Sequence, residues 1–292
     1  MSDKLEINSA YIDQLTALIE ENNSQELIKI LDELHIADIA EIIEDLSSEN
    51  AKHLYDLISD EEKSAAVLVE LEDDTREDLL ANLTAKEIAE EVIDNLESDD
   101  AADIIGELSE DKKEEVLSHV EDIEHASDIS DLLTYPEDTA GGLMAKELIK
   151  VNENWNTLQC LKEMRKQAED VKKVYTIYVV DDDEKLLGSL SLKQLLLAEK
   201  GSAIKSIVNT DIVSVNVNED DEDVANIMNK YDLIALPVVD DLNRLIGRIT
   251  FDDVMDVVKE EAEKDYQMAS GISEDVESSD SVWELTRARL PW

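Results

Sequence analysis

Carboxylates are the chemical resource of this chain of 292 residues. Asp99 and Asp103 lie four residues apart in DDAADIIGEL (99–108), which puts both on one face of a helix. Asp220 and Glu222 stand at a helix start in NEDDEDVA, and Asp232 precedes a strand-like run. Asp252, Asp253 and Asp256 open a further helical pattern, DDVMDVVKEEAEKD (252–265), in which Glu261 and Asp265 are again four apart. An acid in a first helical turn is worth about 0.3–1 kcal/mol through the helix dipole. That accounts for Asp252 or Asp253, but not for acids continuing over three more turns. Oxygen ligands of this kind suit a hard divalent cation, which needs only one or two carboxylates besides its own waters. Two carboxylates about 6 Å apart repel by roughly 3 kcal/mol at an effective dielectric near 20. A cation between them converts repulsion to attraction. Taken singly, each pair also fits a solvated acidic face or a helix cap.

Other chemistries find little support. His35, His53, His119 and His125 are scattered, and Cys160, the single cysteine, sits on an apolar helix face. No nucleophile, base and orienting group fall together, and no glycine loop suits a phosphate, so the chain does not read as an enzyme. The net charge is -48; residues 1–134 hold 41 acidic and 8 basic residues, and residues 135–292 hold 33 and 18. Such a field repels nucleic acid and attracts cations. The N-terminus lacks a signal-like apolar core, and no apolar run nears the ~20 residues of a membrane span, so a soluble cytoplasmic piece is expected.

The elements that must carry the acids follow from patterning. Leu34, Leu46, Ile58, Leu71, Leu83, Leu96, Leu108, Val120 and Leu133 each close an amphipathic segment, at spacings of 12 or 13. Ser47, Ser59, Thr84 and Ser109 follow four of them as helix-starting residues. Helices of about three turns, paired as hairpins of about 25 residues and stacked as an α-solenoid, are predicted for 1–134, with no strand. The run YPEDTAGGLM from Tyr135 marks a boundary. Beyond it the chain is duplicated: IYVVDDDEKLLGSLSLKQLL (177–196) aligns without gaps to LPVVDDLNRLIGRITFDDVM (236–255). Upstream, 151–161 matches 217–227, with about seven extra residues in the first copy. Two small α/β modules packed as a pair are predicted.

The duplicated unit resembles the CBS domain. The order of acidic helical repeat, AGGLM (140–144), two CBS-like copies with YDLIALPVVD (231–240), acidic helix and terminal RARLPW resembles the cytosolic half of MgtE-type magnesium transporters. The resemblance covers nearly the whole chain. It implies an N-terminal superhelical solenoid (1–134), a first CBS domain (135–207), a second (208–265) running into a long acidic connecting or plug helix, and a linker (266–292) to a membrane domain beyond residue 292. It also implies a homodimer whose cytosolic part senses magnesium and favours the closed pore. By resemblance Asp99, Asp103, Asp253, Asp256, Glu261 and Asp265 match magnesium-binding positions. Asp220, Glu222 and Asp232 form a third candidate group, for which capping and cation binding stay open. Lys264 stands where the family can have an acid.

A CBS pair also suggests adenine nucleotides, through Ser/Thr-x-x-Asp where the last strand meets the helix. Thr250 and Asp253 supply it in the second copy, whereas the first has Ser191 with Gln194. Thr176 and Leu233 stand where an aromatic would stack on adenine. ATP binding is therefore left open, and a soluble CBS-pair nucleotide sensor is the alternative reading, beside a scaffold whose solenoid holds a basic protein. Arg287 and Arg289 before Trp292 suit the cytoplasmic edge of a membrane helix, and equally an ordinary polar tail.

Overall fold

The computed structural model describes residues 7–168 and 171–269, and the chain divides between Thr134 and Tyr135 into two compact units. In the first, apolar residues recur on one face of each short segment, and the segments fold as helices. They are α1 (Ser9–Glu20), α2 (Ser24–Glu33), α3 (Ile36–Glu44), α4 (Ser48–Tyr55), α5 (Glu61–Val69), α6 (Asp73–Leu80), α7 (Ala85–Glu87), α8 (Ser98–Gly106), α9 (Glu110–Leu117) and α10 (Ile123–Leu132). No strand occurs among the described residues of this unit.

The periodic residues have a common job. The amides of Leu46, Ile58, Leu71, Leu83, Leu96 and Leu108 each donate to the carbonyl three residues back, tightening the last turn and ending the helix. Thr84 starts α7 with a reciprocal cap to Glu87. Ser59, by contrast, is not a cap; Asp60 takes that place and accepts from the Lys63 amide at 3.1 Å. Either side chain suits a cap, so sequence placed this start one residue early. After α7 the chain widens into a π turn (Ile88–Val92) and a 3-10 turn (Ile93–Asn95), which places Ile88, Ala89, Val92 and Ile93 all in the core.

Several of the few cations in this unit are used internally. Lys63 Nζ donates to the carbonyls of Leu31 (2.6 Å) and Leu34 (2.8 Å), closing α2. Lys112 Nζ does the same for Leu80 at 3.1 Å. The helix ends are thereby satisfied, and those charges do little to offset the acidic surface.

The second unit holds two three-stranded sheets, β1–β2–β3 (Ile149–Asn152, Ile177–Val180, Leu186–Leu190) and β4–β5–β6 (Val215–Asn216, Ala235–Val239, Leu245–Thr250). In each the first pair is parallel and the second antiparallel, with a register shift at the equivalent place, Val179/Val180 and Val238/Val239. Helices α11 (Thr157–Gln167) and α13 (Asp221–Tyr231) make the crossovers, and α12 (Leu192–Leu197) and α14 (Phe251–Ala269) follow the last strands. The two modules exchange equivalent bonds: Leu186 N donates to Asn243 O and Leu245 N to Glu184 O, both at 3.0 Å. Glu184 and Asn243 share a left-handed turn conformation. Between the sheets Tyr178, Val180, Leu186, Val239 and Leu245 form a common core.

Candidate cation site

In α8, Asp99 is 8% exposed whereas Asp103 is open to solvent, so the four-residue spacing does not give two equivalent ligands. Asp99 Oδ1 accepts from the Asp100 amide at 2.9 Å. Asp103 lies in the field of Arg76: burial lowers the Arg76 pKa, but Glu107, Asp73 and Asp103 together hold it above its ordinary value. Arg76 also donates to Glu107 at 3.1 and 3.0 Å and to the Leu71 carbonyl at 3.0 Å. This counter-charge beside Asp103 was not legible in the sequence, because Arg76 in α6 and Asp103 in α8 are 27 positions apart.

The most direct convergence of acids lies in the second unit. Glu222, in the first turn of α13, meets Glu261 in α14. The Glu222 pKa is raised, first by the charge of Glu261, then by a hydrogen bond between the two carboxyl groups, burial, and the charges of Asp220 and Asp221. Two like carboxylates this close favour a shared proton or cation between them. Helices α13 and α14 pack side by side, so a group from each of two sequence patterns is brought together. The spacing rules for one helix do not reveal this pair.

Asp220 is the N-cap of α13, exposed and without a side-chain cap bond. Asp232 ends α13 in a left-handed conformation (φ 51°), which a short polar side chain tolerates. Its place follows from that turn, and the structure does not draw it toward the Glu222–Glu261 pair.

Asp253 is engaged in a cap. Its Oδ2 accepts from Thr250 N at 2.7 Å and Thr250 Oγ1 at 2.9 Å, and Asp252 Oδ1 also contacts that hydroxyl. Burial raises the Asp253 pKa, opposed by the Thr250 bonds. Ser191 and Gln194 form the matching box in the first module, at 2.8 and 3.1 Å. Thr250 with Asp253 in the second copy, and Ser191 with Gln194 in the first, thus serve first to start a helix. Asp256 is exposed, with Lys259 Nζ 3.8 Å away. The Asp265 side chain and residues 270–292 of the expected linker lie outside the described residues. Among the described residues no group of three or more His, Cys, Asp or Glu is disposed to hold a metal ion. No described helix is long and apolar enough to cross a membrane.

A helical repeat unit followed by a tandem pair of pseudo-twofold α/β modules defines the class: an α-helical repeat domain joined to a CBS pair. Residues 34–138 match the family described as the MgtE intracellular N domain, and residues 140–201 and 204–260 each match the CBS domain. The magnesium transporter MgtE of Thermus thermophilus is 31% identical over 310 residues, covering all of this chain and 64% of that protein. The Enterococcus faecalis MgtE is 36% identical over 170 residues, 58% of this chain and 37% of that one. A solved cytosolic domain of the Mg2+ channel MgtE in complex with ATP superposes with a TM-score of 0.77 at 31% identity, over 84% of this chain and 99% of that one. The chain belongs to the MgtE family and corresponds to its cytosolic part. It spans less than two thirds of the length of these curated relatives, which are transporters and not enzymes.

Proposed function

We propose that this chain is the magnesium-sensing and gating region of a magnesium transporter or channel in the cell membrane, with the present residues on the cytoplasmic side. The observation that carries this reading is the packing of α13 against the acidic helix α14, which sets Glu222 beside Glu261. A divalent cation there relieves a like-charge contact that monovalent salt only screens. Asp99, Asp103, Asp220, Asp253, Asp256 and Asp265 are proposed to add weak sites, with Asp232 at the opposite end of α13 from Glu222. Each ion that binds the closed form better than the open one shifts the population toward closed, and several weak ions make the response steep.

The duplication supports a homodimer formed through the second unit. Leu192 and Phe251 occupy equivalent positions and are 47% and 44% exposed; Leu196 and Met255 are likewise equivalent, at 67% and 45%. Large apolar groups left exposed at the same positions of both copies fit a surface covered by a second chain.

The test is the radius of gyration over a magnesium titration at fixed ionic strength. Magnesium is expected to compact the chain where sodium does not, and Asp99→Asn with Asp103→Asn, or Glu222→Gln with Glu261→Gln, to weaken the effect. A constant radius, or an equal fall with sodium, makes the acids a solvated face. Compaction by ATP without magnesium would instead favour the nucleotide-sensor alternative.

A further inference from the structure

The segment Tyr135–Ala145 straps the two elements that carry the carboxyl pair. At one end, Ala140 N donates to Glu219 O at 2.7 Å, Gly141 N to Val217 O at 2.9 Å, and Asp221 N to Asp138 O at 3.2 Å. These bonds surround Asp220 and lead directly into Glu222. At the other end, Ala145 and Arg248 exchange backbone bonds of 2.8 and 2.9 Å, on the strand that runs into Thr250 and α14. The strap is shaped by close packing. A Cβ on Gly141 would stand 2.6 Å from Tyr135 Cγ, and one on Gly142 would stand 2.7 Å from the Pro136 carbonyl oxygen. Neither glycine has a positive φ, so close approach, not a left-handed turn, requires them.

We propose that Tyr135, Gly141 and Gly142 are positioning residues for the cation site: the strap they shape fixes where Asp220 and Glu222 stand relative to α14. This rests on the cation reading above. The strap begins at the boundary with the helical unit, so a pull on the chain there reaches Glu222 through backbone bonds and not through an ion.

Two readouts on the whole chain separate the positioning claim from the cation reading: amide hydrogen exchange without divalents, and magnesium binding by calorimetry. Gly141→Ala is expected to speed exchange at residues 140, 141, 221 and 222 and to weaken magnesium binding by about 2- to 30-fold, the range seen for mutations that act through a network. Gly106→Ala, where a Cβ meets nothing within 4 Å, sets the baseline. If Gly141→Ala does not fold, Tyr135→Leu loosens the strap without added bulk and is expected to act in the same direction. Wild-type exchange in Gly141→Ala or Tyr135→Leu overturns the proposal. If Glu222→Gln leaves magnesium binding unchanged, the cation reading fails, while exchange at 221 and 222 still decides whether the strap positions them.

Discussion

Asp253 is claimed by two roles, and substitution can separate them. As a cap, its Oδ2 accepts from Thr250 N at 2.7 Å and Thr250 Oγ1 at 2.9 Å. Asn keeps a carbonyl oxygen in that place; Ala removes it. Loss of such a cap costs about 0.5–2 kcal/mol, and for a unit of this size each kcal/mol moves the midpoint by about 2–4 °C. Asp253→Ala is therefore expected to lower the calorimetric Tm of the second unit by about 1–8 °C. Burial raises the Asp253 pKa, so the native site disfavours its charge. Asp253→Asn is then expected to match or exceed wild type at pH 7 without magnesium. The cation role reads out separately: if Asp253 holds magnesium, the Asn variant loses part of the magnesium-induced rise in Tm. Equal destabilisation by Asn and Ala would refute the capping argument. A full magnesium response in the Asn variant would remove Asp253 from the ligand set and leave it as a cap alone.

The pH dependence has a definite sign. Glu91, Asp94, Glu222 and Asp253 all have raised pKa values, so the folded chain holds protons more tightly than the unfolded one. Without divalents and at low salt, Tm is expected to fall as pH rises past the ordinary Asp and Glu values of 3.8 and 4.5, with magnesium reversing the fall; a rise through that window would contradict it. The lowered Glu87 and Asp240 act in the opposite sense, below their ordinary values. Tyr178 is 2% exposed, and its hydroxyl has no hydrogen-bond partner among the described residues. Tyr178→Phe is expected to be neutral or to gain up to about 1–3 kcal/mol in urea unfolding, and a loss of that size would show that the hydroxyl is satisfied. Leu196→Glu with Met255→Glu is expected to leave helicity unchanged and yield monomer in sedimentation, whereas an unaltered dimer would place the interface elsewhere.

Periodicity alone determined most of the architecture. An apolar residue every 12 or 13 positions, leucine at all but Ile58 and Val120, ends the helices from α2 on, and at six of these positions its amide also closes a tight last turn. The duplication specified two modules down to the matching strand irregularities, since an ungapped repeat carries its hydrogen-bond register with it. The family resemblance was legible for the same reason, its motifs being local runs of sequence.

The site was legible only in part. Sequence marks acids at helical spacing, but it does not say which of them are spent on caps, as Asp253 is, or which lie beside a distant cation, as Asp103 does with Arg76. It also does not pair Glu222 with Glu261, 39 positions apart on different helices. Only the packing of α13 against α14 brings those two carboxyls into contact. The repulsion a cation relieves depends on through-space distance, and the tertiary structure alone sets that distance.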